Sequence, residues 1–294
     1  MHFWTEEEDK FLCEKYEVLE VAEISKLLGK SESSIRNHAH KLNLYKGYKK
    51  YKHNEKFFLN YNEKNCYWAG LLAADGWIRI IKNTSYLFLL LKQDDKSHIT
   101  QFANDICFTG PVKDRVSKYK GKDYLSSIIE VCACSELVND LKCKFNIVPK
   151  KSLILNPPFM TDINHKLAFI CGYIDGDGCI REDEKGRLEL SMVGTQDMLL
   201  WIQQIFDEIV PPQGKYLAKA RKRKKNRNYS DYKITGYRAV FILKKILEIE
   251  TPKLERKWAI AQKFVEQTLN KNHEKKNVKT WVDGFQEIEK ISLD

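Results

Sequence analysis

Trp68-Ala69-Gly70-Leu71-Leu72-Ala73-Ala74-Asp75-Gly76 and Ile170-Cys171-Gly172-Tyr173-Ile174-Asp175-Gly176-Asp177-Gly178 are two copies of one pattern, an apolar helix-length run closed by an acid and a glycine. Asp75 and Asp177 stand 102 residues apart, about one small folding unit. Neither run has a polar face, so neither reads as an ordinary surface helix. Gly70 and Ala74 recur at helical spacing in the first, as do Ala168, Gly172 and Gly176 in the second. Glycine inside a helix costs about 1 kcal/mol relative to alanine, and close approach of a second backbone is the reason to keep it. The pattern predicts two helices packed on each other in parallel about a pseudo-twofold axis. That geometry brings Asp75 and Asp177 together at the paired helix ends.

A carboxylate at a helix C-terminus faces the negative end of the dipole, and two adjacent carboxylates repel. A divalent cation offsets both penalties; hard oxygen donors suit magnesium, with manganese as a substitute. Acids paired around such an ion make a site for activating water against a phosphodiester. The plain alternative, two core helices with capping acids, fits either run alone but fits poorly with two copies in register.

These stretches resemble the signature helices of the LAGLIDADG homing endonucleases, and the resemblance covers about residues 61 to 270. It implies that the second acid of each motif, Asp75 and Asp177, is catalytic and binds metal. The first acid of the motif is matched by Asp175 and replaced by Ala73, a position the family does not use for chemistry. The resemblance also implies polar side chains that order water at the end of each second strand, where Lys92 or Gln93 and Thr195 or Gln196 match. The family's lysine is not found near Ala133 or Thr235. The implied reaction is magnesium-dependent cleavage of both strands across the minor groove, leaving short 3′ overhangs.

The chain of 294 residues carries a net charge of +10, with 43% apolar and 31% charged residues and a pI near 9.0, which points to a polyanionic partner. Acids and bases balance over residues 1–50, so the excess lies beyond them. Eight cysteines without a CxxC pair read as free thiols in a reducing compartment. With no signal pattern and no apolar run of membrane-spanning length, a soluble intracellular protein is expected.

Residues 1–46 read as a three-helix module. Thr5 with Glu8 makes a capping box, a helix over about Val21 to Leu28 stops at Gly29, and Ser31 caps a third. Arg36, Asn37, His40 and Lys41 face outward there, with Ser33 and Ser34, as a groove-reading set. His38 reads as solvated or phosphate-contacting. Trp4 and the acidic Glu6-Glu7-Glu8-Asp9 start resemble Myb/SANT or helix-turn-helix modules, although a protein-docking bundle fits the neutral charge as well. Residues 47–60 read as a basic, aromatic linker.

From there the chain reads as an α+β fold with two pseudo-symmetric units, 61–160 and 161–270, each in the order αββαββα. This is the order the resemblance implies, with two sheets forming a DNA-facing saddle. Base readout is expected from Arg79, Arg181, Arg187, Glu189 and Ser191. The run through Arg221, Arg223, Lys224 and Arg227 reads as a hairpin tip gripping phosphates. Residues 271–294 form a polar tail in which a helix through Trp281, Phe285 and Ile288 is expected. The repeat supplies both halves of the site, so a monomer acting on duplex DNA is expected. A non-cleaving DNA-binding regulator on the same scaffold and an RNA-binding maturase assisting an intron are the rival readings.

Overall fold

A computed structural model describes residues 4–16, 19–42, 44, 51–81, 84–119, 121–212, 221–222 and 230–270. The chain divides into two compact units, Met1–Tyr51 and Lys52–Asp294.

In the first unit, Thr5 is extended and accepts the Glu8 N–H, while the Glu8 carboxylate accepts the Thr5 N–H. This starts α1 (Glu6–Lys15), whose first-turn acids suit the positive end of the dipole. Gly29 ends α2 (Val21–Leu28) in the left-handed conformation at φ 63°, and the Ser31 hydroxyl caps α3 (Glu32–Lys41). Leu12, Tyr16, Val21, Ile24, Ile35 and Ala39 make the core. His38 corrects the sequence expectation: it stacks on Trp4 at 4.0 Å and meets the Asp9 carboxylate at 2.5 Å, so it holds α3 to α1. Arg36, Asn37, His40 and Lys41 are exposed, as expected of a reading face, with Arg36 paired to Glu32.

Residues 52–60 differ from the expected linker. Lys52 pairs with Thr109, Asn54 donates to Ile106, and Glu55 accepts two backbone N–H groups at the start of the helix that begins at Ser135. Phe58 is fully buried against Phe145. Apolar burial at Phe57 and Phe58 outweighs the local basic charge and anchors this stretch to the second unit.

That unit holds the repeat. Its first half runs α4 (Glu63–Ala74), β1 (Gly76–Ile81), β2 (Thr84–Lys92), α5 (Lys96–Asp105), β3 (Lys113–Tyr119), β4 (Lys122–Cys132) and α6 (Ser135–Phe145). The second runs α7 (Ile163–Asp177), β5 (Gly178–Glu182), β6 (Leu188–Gly194), α8 (Gln196–Ile209), β7 (Arg221–Lys222), β8 (Ser230–Thr235) and α9 (Tyr237–Leu247), with α10 (Glu255–Asn270) added. The sheets have matching antiparallel orders, β1-β2-β4-β3 and β5-β6-β8-β7. The fold is α+β, in the expected order αββαββα in both halves. Alternation puts Ile78, Leu87, Leu89, Ile129 and Val131 into the core from the first sheet, and Ile180, Leu190, Met192 and Ile234 from the second.

The helix pair α4/α7 lies at the centre of this core. A methyl group on Gly70 would overlap the backbone of Phe169 and Tyr173; one on Gly172 would overlap that of Tyr67 and Leu71. The contacts are reciprocal and advance together along both helices, so the pair is parallel. Only glycine lets the two backbones come this close. Arg221 lies in the backbone of β7, whereas Arg223, Lys224, Arg227, the connector 45–50 and the tail 271–294 lie outside the described residues.

Candidate active site

The helix crossing brings the two acids to one place. Asp75 caps α4, its N–H donating to Leu71 O, and Asp177 is the last residue of α7. A Cβ added to Gly176 would lie 3.2 Å from Asp75 Oδ2. Burial, and then the Asp177 charge, push the Asp75 carboxyl up to about 6. Burial also raises Asp177, against the pull of Lys151 and Lys257.

Those two lysines are the residues the sequence reading missed. Neither α4 nor α7 has a basic residue in its last turn, so their terminal carbonyls need a cation from elsewhere. Lys151 Nζ donates to Gly76 O at 2.6 Å and Ala74 O at 3.4 Å. Lys257 Nζ donates to Asp175 O at 2.6 Å, Gly178 O at 2.8 Å and Ile174 O at 2.9 Å. They stand 76 and 80 residues beyond their acids, each after the closing helix of its half and a Pro-Lys pair, Pro149-Lys150 and Pro252-Lys253. That matched spacing was the available signal. Burial lowers both ammonium groups, Lys151 to about 8, while the acids raise them in opposition.

Around this centre the halves differ. Asp175, 2% exposed, accepts from Tyr67 Oη at 2.6 Å, Trp258 Nε1 at 2.8 Å and Leu254 N at 2.9 Å. The Tyr67 proton goes to that carboxylate, so His98 Nε2, 2.6 Å from Tyr67 Oη, carries its own hydrogen as donor. Burial lowers the His98 imidazole to about 4, leaving it neutral. Arg256, beside Lys257, grips both oxygens of buried Asp95 at 2.9 and 2.7 Å, tying α10 to the turn after β2.

Gln93 and Thr195 occupy equivalent places, directly after β2 and β6. Thr195 lines a cavity of ≈ 50 Å³ together with Asp177, Lys151 and Ser152. Its hydroxyl donates to Leu155 O at 2.6 Å and accepts from Met198 N, so it is committed to starting α8. Arg79 and Arg181 are exposed on the open faces of their sheets, and Ser191 is partly exposed. Glu189 corrects the expectation of a base-reading carboxylate: it is 2% exposed, accepts from Arg181 Nε at 2.9 Å and pairs with Lys233. Arg187 lies in the hairpin turn, its Nε donating to Asp183 at 2.9 Å rather than projecting from the strand face.

Among the described residues no cluster of three or more His, Cys, Asp or Glu could hold a metal by itself. The Asp75 and Asp177 carboxylates still fit a hard cation, because each is raised while buried and Asp75 is raised further by the other's charge. Two protein carboxylates leave most of a magnesium shell to water and phosphate oxygens, which is how that ion is commonly held. No helix among the described residues is long and apolar enough to cross a membrane.

A two-fold repeated α+β scaffold with an acid pair at its central helix crossing is the class that fold and site define. Solved structures similar to the chain are LAGLIDADG homing endonucleases, and they cover most of it. They include I-LtrWI bound to target DNA (13% identity over 80% of this chain and 97% of that one, TM-score 0.43). They also include I-GzeII in complex with its DNA target (11%, 78% and 98%, 0.47) and I-DmoI in complex with DNA and Ca (15%, 71% and 99%, 0.41). No protein-family model and no curated protein matches the chain.

Proposed function

We propose that the chain is a LAGLIDADG homing endonuclease, a site-specific, metal-dependent enzyme that hydrolyses one phosphodiester in each strand of duplex DNA and leaves short 3′ overhangs. The observation that carries this reading is the reciprocal Gly70/Gly172 crossing, which delivers two repelling carboxylates and two lysines to one centre. Asp75 and Asp177 would hold magnesium, which supplies Lewis acidity and an activated water when bound. Lys151 and Lys257 cap the helix carbonyls and add positive charge beside the acids, where the phosphate gains negative charge in the transition state. Arg79, Arg181 and Ser191 would face the grooves, and the three-helix unit would add contacts through Arg36, Asn37, His40 and Lys41. Since one chain holds both halves of the centre, a monomer suffices.

Supercoiled plasmids carrying the uninterrupted sequence that flanks the reading frame test this in magnesium and in manganese. Linear product is expected from the wild type and none from Asp75→Ala plus Asp177→Ala; full activity in that variant refutes the assignment. Specific binding without cleavage in either metal would make the chain a regulator instead. Folded intron RNA outcompeting duplex would make it a maturase.

A further inference from the structure

The strands that leave the two acids carry unlike chemistry on their open faces. On the second sheet this face is polar: Arg181, Glu189 and Lys233 form an ion-pair cluster beside Ser191. On the first sheet the equivalent face is apolar. Trp77 stacks on its cross-strand neighbour Phe88 at 4.9 Å and 6°, and Tyr86 continues the row at 6.3 Å and 13°. Ile81, 45% exposed, shares this face with the partly exposed Leu90 and Ile128.

The setting of these groups says what covers them. Arg79 lies over Phe88, with its guanidinium carbon 5.9 Å from the ring centroid. Lys92, Lys113 and Arg115 are exposed around the row, and Glu130 is the one acid on this face among the described residues. A cationic rim complements a polyanion. Phe88 is only 7% exposed because its ring is covered by its neighbours, so it offers no open platform for an unpaired base. What remains for a ligand is ring edges and aliphatic side chains. In a duplex the group that matches them is the C5-methyl of thymine, the apolar feature of the major-groove edge.

We infer that the first sheet reads thymine methyl groups, so that the target site is chemically asymmetric, with a thymine-rich half on Trp77 and Ile81 and a half read by charged and hydroxyl groups on Arg181, Ser191 and Lys233. This inference rests on the duplex-endonuclease reading above.

The test is selection of binding sites from a randomised duplex library by the full chain in calcium, followed by replacement of thymine with deoxyuridine in one half of the selected site at a time. Each replacement removes a single methyl group. In the thymine-rich half each contacted thymine should weaken binding about fourfold, the equivalent of one buried methyl. In the other half the change should stay under about twofold, short of a single buried methyl. Trp77→Ser and the exposed Ile81→Thr should each reduce the uracil penalty in the first half only; Ile81→Thr serves if Trp77→Ser does not fold. A strongly selected site that is insensitive to uracil in both halves overturns the inference and leaves the endonuclease reading intact. Displacement of that duplex by single-stranded competitor overturns the inference and the duplex reading together. If no sequence is enriched, the endonuclease reading itself fails, and this inference with it.

Discussion

Asp75 is held against its own chemistry. Its folded-state carboxyl, raised to about 6 from an ordinary 3.8, binds a proton more tightly than in the unfolded chain. Ionising it therefore costs stability as pH rises from 3.8 through about 6. Asp75→Asn should stabilise the protein by about 2–3 kcal/mol above pH 7, with the gain fading toward pH 4, as thermal melts will show. The same variant should lose cleavage. His98 has the opposite sense: the unfolded imidazole titrates near 6.5 and the buried one near 4. Stability from its neutral form is complete above 6.5 and is lost as pH falls toward 4. Between pH 7 and 5, urea unfolding of wild type should lose about 2 kcal/mol relative to His98→Gln. An acid-glycine ending repeated at matched positions made Asp75 and Asp177 legible in the sequence. The fates of Glu189 and Thr195 were not legible, because each is decided by a partner brought in by folding, Lys233 across a strand pair and Leu155 forty residues away.

Among the elements, the helix pair was the most legible, since glycine spacing reports where backbones meet. Gly70→Ala should cost about 3 kcal/mol through overlap with the Phe169 backbone, outweighing the helix propensity gained, and calorimetry will measure it. The helix starts capped by Thr5 and Ser31 were equally plain, because capping is a local exchange of hydrogen bonds. The lysines were hidden because an ammonium that caps a helix from 76 or 80 residues downstream leaves no mark within the helix itself. Replacing Lys257 with Met should strip donors from the carbonyls at the end of α7 and cost about 1–3 kcal/mol. On supercoiled plasmid either Lys151→Met or Lys257→Met should build up nicked circles ahead of linear product, because each lysine serves one half.

For the molecule as a whole, the charge of +10 lies entirely between residues 51 and 270. Removing residues 1–51 should leave a cooperatively folding protein whose DNA affinity keeps the same salt dependence while its discrimination between sites falls; fluorescence anisotropy across a salt series measures both. The two halves have also become unlike at matched positions. Position 67 is tyrosine where its counterpart, 169, is phenylalanine, and position 175 is aspartate where its counterpart, 73, is alanine. The phenol of one half and the carboxylate of the other satisfy each other across the seam. A homodimer of second halves would keep the Leu254 and Trp258 donors but set each Asp175 against a phenylalanine, and a homodimer of first halves would set each Tyr67 against an alanine, with His98 as its remaining partner. Each half carries one member of a polar pair that the other half completes, so the two are not interchangeable at this seam.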